Sequence, residues 1–170
     1  YCGRIRFGVE TDSGDITGNV VATKEVPPLD LPGIQEALDG FLGDLEMPAP
    51  AYSAVKYKGK ALYTYARKGI AVPPRPRKSR VARWQALSYE APDLEHRLEC
   101  SSGTYVRSLA EVLGRKIGCG ATVLTLRRDS IADLNVSEAL SLEAARKLSL
   151  DDLKALLAAS LPRLGRLVAE

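Results

Sequence analysis

The chain has 170 residues and 18.4 kDa, the length of one ordinary domain. Its 45% apolar and 26% charged content is that of a soluble chain with one sizeable core and excludes disorder. The longest unbroken apolar run, Ala155–Leu156–Leu157–Ala158–Ala159, falls far short of the ~20 residues a membrane-spanning helix needs.

In chain order, Gly3 to Val9 alternates polar and apolar residues and reads as a strand. The chain opens at Tyr1 without Met and without a basic-then-apolar leader, which reads as the inside of a longer protein that is not secreted. The turn-rich Thr11–Asp12–Ser13–Gly14–Asp15 follows, then a second strand around Asn19–Glu25. Pro32 in a first helical turn, with Ile34, Leu38, Phe41 and Leu42 at helical spacing, predicts a helix ending near Gly43. Met47–Pro48–Ala49–Pro50 reads as a connector, Tyr52 to Tyr57 as extended chain, and Lys60 to Lys68 as a helix stopped by Gly69.

Ser79 to Tyr89 and Leu94 to Ser101 pattern as a strand pair around Pro92. Thr104 to Ile117 is the clearest helix, with Val106, Leu109, Ala110, Leu113 and Ile117 in one stripe and Gly118 ending it. Ala121 to Arg127 reads as a strand, and 142–147 and 150–157 as short helices. Strands and helices mix without strict βαβ alternation, so the expected class is α+β: a mixed, largely antiparallel sheet with flanking helices. No G-x-G-x-x-G loop is present, which argues against a dinucleotide fold.

Cys2, Cys100 and Cys119 form no Cys-x-x-Cys pair, and His96 is the single histidine. The expectation is free thiols in a reducing cytoplasm, no metal site, and a solvent-facing strand histidine. Charge is uneven. From Met47 to Tyr89 there is no acidic residue but ten basic ones: Lys56, Lys58, Lys60, Arg67, Lys68, Arg75, Arg77, Lys78, Arg80 and Arg83. Tyr52, Tyr57, Tyr63, Tyr65, Trp84 and Tyr89 are interleaved with them. Cations that neutralise phosphates beside rings that stack on bases fit a nucleic-acid surface; a solvated basic face with inward tyrosines is the other reading.

Arg107 breaks a local rule. It lies in or near a first helical turn, where the helix dipole disfavours a cation by a few tenths to ~1 kcal/mol. Either it pairs with Glu111 at i+4, or it is held to meet a carboxylate or phosphate from elsewhere in the fold.

Cys100-Ser-Ser-Gly-Thr-Tyr-Val-Arg-Ser-Leu-Ala, with Leu113-Gly, Gly118-Cys-Gly-Ala and Leu126-Arg-Arg after it, resembles the TruB family of tRNA pseudouridine synthases. So do Ala51-Tyr-Ser-Ala-Val-Lys-Tyr-Lys-Gly-Lys-Ala-Leu-Tyr-Thr-Tyr-Ala-Arg-Lys-Gly and the opening from Tyr1 to Gly18. The resemblance implies isomerisation of uridine-55 in the T arm of tRNA by a monomeric cytoplasmic enzyme without metal or organic cofactor. An Asp nucleophile would act on a base flipped out of its stack. By position, Tyr1 matches the tyrosine that stacks on the flipped base and Tyr105 the second active-site tyrosine. Arg107 matches the arginine that pairs with the catalytic Asp, and Leu126 the apolar pocket wall.

The resemblance implies a partial catalytic domain over 1–150, an RNA-contacting insert at about 47–83, and a helical tail over 151–170. RNA contact falls to Lys56, Lys58, Lys60, Arg67, Lys68, Arg75, Arg77, Lys78 and Arg80. One element departs from the pattern: no Gly-x-x-Gly-x-Leu-Asp-Pro-like segment occurs, and Asp12, Asp15 and Asp129 fall in other blocks. The C-terminal PUA domain common in the family is likewise expected to be missing, since the chain stops soon after Leu167. The expectation is therefore a synthase piece that is inactive alone. A stand-alone RNA-binding module is the alternative from another class, and an unrelated α+β protein with a basic face is a third.

Overall fold

Ile5 and Phe7 alternate with Arg4 and Arg6 along the first strand, which makes one side apolar and the other charged. The computed structural model describes residues 1–73 and 76–168, with side chains as far as residue 160. Two units are distinguished, Tyr1–Arg127 and Arg128–Glu170.

In the first unit the chain runs β1 (Cys2–Phe7), β2 (Val9–Thr11), β3 (Val20–Thr23), α1 (Leu31–Asp39), β4 (Gly43–Pro48), β5 (Lys56–Tyr57), β6 (Lys60–Ala61), α2 (Leu62–Ala66), β7 (Pro76–Glu90), β8 (Asp93–Cys100), α3 (Val106–Ile117) and β9 (Ala121–Arg127). Five strands form one antiparallel sheet in the order β4-β7-β8-β1-β9, and the remaining short strands pair in hairpins. With α1 against β7 and α3 against β9, the class is α+β.

The core forms where Ile5, Phe7, Trp84, Leu94 and Leu98 of the sheet meet Ile34 and Leu38 of α1 and Leu109 and Leu113 of α3. All are inaccessible to solvent, and each such burial stabilises by roughly 1.5–3 kcal/mol. Gly114 lets α3 approach β9 closely, since a Cβ there would strike the backbone of Gly120 and Ala121. Gln35 fixes α1 on β7: its Oε1 accepts from Ala86 N at 2.8 Å and its Nε2 donates to Trp84 O at 2.9 Å. On the charged side, Arg6 Nε and Nη2 donate to the Asp93 carboxylate at 2.7 and 2.8 Å and pin β1 to β8.

Several sequence expectations are corrected. Met47–Pro48 is not connector but the end of β4, whose register runs from Gly43 opposite Val81 to Pro48 opposite Pro76. A strand was hidden there because Gly43–Pro48 exposes alternate residues at the sheet edge and carries no β-branched side chain. Between Tyr52 and Tyr57 only Lys56–Tyr57 is strand. The clearest helix begins at Val106, with Tyr105 as an extended N-cap, because the Thr104 hydroxyl bonds back to Ser101 O at 2.9 Å.

His96 is fully buried, not solvent-facing. It shares the inward face of β8 with Leu94 and Leu98, two residues away on either side. Its Nδ1 accepts from Trp84 Nε1 at 3.1 Å.

The second unit holds a hairpin of β10 (Ser130–Ile131) and β11 (Leu134–Asn135), a 3-10 turn, α4 (Leu142–Ala145) and α5 (Leu150–Val168). The short helix expected over 150–157 is thus the start of a longer one. Among the described residues no helix is long and apolar enough to cross a membrane.

Burial, with the Tyr1 ammonium adding to it, lowers the His96 pKa from 6.5 to about 4. The unfolded chain binds that proton first, so stability falls as pH drops from about 6.5 towards 4. The loss should reach on the order of 3 kcal/mol at the lower limit. Urea midpoints at pH 7 and 4.5 should show it, with the emission of the single tryptophan, Trp84, changing in the same window.

Candidate active site

Two segments far apart in sequence converge on the first turn of α3. Arg107 Nη1 donates to Ser13 O at 2.9 Å and to Asp15 Oδ2 at 3.2 Å, and Nη2 donates to Tyr52 O at 3.0 Å. One residue on, Ser108 Oγ donates to Pro48 O at 2.9 Å, so the end of β4 and the chain beyond it are both tied to this turn. Hydrogen bonds to a charged group contribute about 1.5–3 kcal/mol each. Together they outweigh the few tenths to ~1 kcal/mol by which the dipole opposes a cation there. Glu111 is not the partner; its Oε2 lies 3.3 Å from Arg115 Nη2.

Asp15 is held as firmly as the arginine it meets. Its Oδ1 accepts from Ser13 Oγ at 3.0 Å, from Thr17 N at 3.1 Å and from Thr17 Oγ1. Partial burial pushes its pKa up, but the Thr17 and Ser13 hydrogen bonds and the Arg107 charge more than offset this, so the carboxyl titrates below its usual range. The loop lies along the sheet edge, with Ile16 N donating to Val123 O at 2.9 Å and Val123 N to Gly14 O at 3.0 Å. Gly14 is needed at the crossing: its φ is +75°, and a Cβ would sit 3.1 Å from Arg107 Cβ and 2.7 Å from Glu111 Oε1.

Of the residues singled out in the sequence, Tyr105 is the N-cap of α3 and packs against Ala49, Val55 and Leu62, whereas Tyr1 packs against the main core. Leu126 is 41% exposed on β9, opposite Gly3, which is two residues from Tyr1 on β1. Sequence reasoning set Asp15 aside as a nucleophile and missed it as the partner of Arg107. The signal was the hydroxyl at two residues on either side, Ser13 and Thr17, around a turn-forming carboxylate. Among the described residues no three His, Cys, Asp or Glu side chains gather as metal ligands would.

The basic residues divide into two settings. Lys56, Lys58, Lys60, Arg67 and Lys68 are exposed on β5, β6 and the end of α2. Lys58 (φ +47°) and Gly59 (φ +81°) make the hairpin turn, with the Lys58 ammonium over the Tyr57 ring at 5.5 Å and Arg67 over Tyr63 at 5.2 Å. Lys78 and Arg80, on β7, stand opposite Glu46 and Asp44 of β4, and Arg77 opposite Met47. Arg75 lies outside the described residues.

The model of the TruB family pseudouridylate synthase N-terminal domain matches residues 1–106. The chain is 42% identical over 163 residues to the tRNA pseudouridine synthase B of Bordetella avium (strain 197N), covering 93% of this chain and 65% of that protein. It is 41% identical over 140 residues to the tRNA pseudouridine synthase B of Endomicrobium trichonymphae, covering 82% of this chain and 61% of that protein. It thus spans under two-thirds of the length of these curated relatives. The crystal structure of a Cbf5–Nop10–Gar1 complex matches at 21% identity with a TM-score of 0.48, over 72% of this chain and 27% of that one.

Replacing Arg107 by Ala should release both tethers. The expected cost is about 2–3 kcal/mol, with faster amide exchange confined to residues 11–18 and 49–55, measured by hydrogen–deuterium exchange.

Proposed function

The chain belongs to the TruB family of pseudouridylate synthases, and from that premise we propose that it supplies part of the catalytic domain of an enzyme that isomerises uridine-55 in the T arm of tRNA. In this reading residues 1–150 are catalytic domain, about 47–83 the RNA-contacting insert and 151–170 a helical tail, and the protein works as a cytoplasmic monomer.

The observation that carries the reading is the bound state of Arg107. A guanidinium has five N–H donors. Among the described residues Ser13, Asp15 and Tyr52 take three, which leaves Nε–H and one Nη2–H for a further carboxylate. The nucleophilic Asp of the family is the group we assign to them. It would be aimed and kept ionised by a guanidinium that is itself already fixed, so little reorganisation is left for the reaction. Tyr1 would stack on the flipped uracil, contributing roughly 1–3 kcal/mol towards holding it out of its helix. Tyr105 and Leu126 would line the pocket. The Asp forms a covalent bond with the nucleotide, the bond from uracil N1 to ribose breaks, the ring turns, and its C5 bonds to the ribose carbon. The Asp–nucleotide bond breaks as the carboxylate is released, C5 loses its proton and N1 takes one up, so the product is an isomer and no redox partner is required.

RNA contact is assigned to Lys56, Lys58, Lys60, Arg67, Lys68, Arg75, Arg77, Lys78 and Arg80. The exposed cations of β5, β6 and the end of α2 favour it most, with Lys58 backed by the Tyr57 ring and Arg67 by the Tyr63 ring. Lys78 and Arg80 face acidic residues across the strand pair and would contribute less.

The test is tritium release from 5-labelled uridine in a T-arm transcript. This chain alone, without a Leu-Asp-Pro segment, should give none. Joined to such a segment it should turn over, and Arg107→Ala should then lower the rate by about 10²-fold or more. Absence of turnover in the joined protein would overturn the reading. For the RNA surface, binding of the hairpin should weaken with salt at a log–log slope of about −0.7 to −0.9 per phosphate neutralised. Lys58→Ala should reduce that slope by close to one contact.

A further inference from the structure

Beneath the Asp15 loop lies a pair of buried hydroxyls that the mechanism above does not use. Thr11 Oγ1 lies 2.8 Å from Asp15 O and 2.9 Å from Thr122 Oγ1, and Thr122 is wholly buried on β9. A hydroxyl has one proton, and a carbonyl oxygen can only accept. Thr11 must therefore give its proton to Asp15 O and accept from Thr122, which fixes the direction of the chain: Thr122 to Thr11 to the Asp15 carbonyl.

Ser13 makes that direction matter. Its Oγ stands 3.1 Å from the same carbonyl and 3.0 Å from the Asp15 carboxylate, with one proton to place between them. Thr11 and the Gly18 N–H, 3.1 Å away, take the two lone pairs of the carbonyl, so the Ser13 proton goes to the carboxylate oxygen Oδ1, leaving Oδ2 to Arg107.

We infer that Thr11 and Thr122 are positioning residues for the active site: their directional hydroxyl relay occupies the Asp15 carbonyl and so commits Ser13 to the carboxylate that anchors Arg107. The inference rests on the reading of Arg107 given above. It adds that the orientation of the guanidinium is set from the sheet, through two side chains that touch neither the arginine nor any substrate.

The test follows Asp15 by carbon-13 NMR in the 170-residue chain, together with the Arg107 Nε–H signal. Thr11→Val keeps the shape and removes the hydroxyl. Ser13 is then drawn to the carbonyl, and the Asp15 titration should move up by about one pH unit. Thr122→Val should move it in the same direction by less, with broadening of the Arg107 signal in both. Thr11→Ser and Thr122→Ser, which restore the hydroxyls, should titrate like the parent. An Asp15 titration unchanged in both valine variants, whatever they lose in melting temperature, would overturn the inference. Should a valine variant fail to fold, Ser13→Ala removes the same proton at its destination, and an unmoved Asp15 there overturns it equally. None of these readouts involves RNA or turnover, so failure of the synthase reading would show in tritium release and leave the titration result standing.

Discussion

A cation in the first turn of a helix has to be held by something stronger than the dipole that repels it, and in this protein that requirement organises the site. Arg107 draws in the Ser13–Asp15 loop from one side and Tyr52 from the other. Neither segment belongs to the five-stranded sheet. The guanidinium ties both to α3 with directed hydrogen bonds. The carboxylate beside it is in turn prepared by Ser13 and Thr17, so the ion pair meets with little rearrangement left on either side.

Much of this could be read from the sequence, for identifiable reasons. The strands β1 and β8 and the helix α3 are amphipathic at the right period, and the core residues of α3 lie on the predicted stripe. The conflict between Arg107 and its helix position left two readings, a local pair with Glu111 or an anion from elsewhere in the fold, and the fold decides for the second. What stayed hidden was relational. β4 looks like connector because its partner, β7, supplies the order that its own residues do not specify. Asp15 looked like an ordinary turn carboxylate, since its neighbour in space is 92 positions away. His96 was legible after all, because it sits in phase with Leu94 and Leu98; polarity was given weight over periodicity, and the periodicity decided.

His96 also shows how the apolar side of the sheet tolerates a polar ring. Its neutral form accepts the Trp84 indole proton, and Trp84 packs edge-on against Phe41 at 5.2 Å. The backbone carbonyl of Trp84 meanwhile receives Gln35 from α1. One residue of β7 therefore faces a helix through its main chain and a neighbouring strand through its side chain. The position of α1 and the protonation of a buried imidazole are linked at that point.

The pairing of Pro48 with Pro76 has a consequence for how this chain can vary. Everything between those two residues leaves the sheet and returns to it within a single rung. The cost of closing such an excursion grows only with the logarithm of its length, about 0.6 kcal/mol for each doubling. Its base is clamped by Ser108 and Arg107 at Pro48 and Tyr52, while its far end carries no strand that the sheet depends on. The basic segment is thus a side branch on a fixed stem, free to lengthen, shorten or exchange its cations without disturbing the register of the sheet or the setting of the arginine.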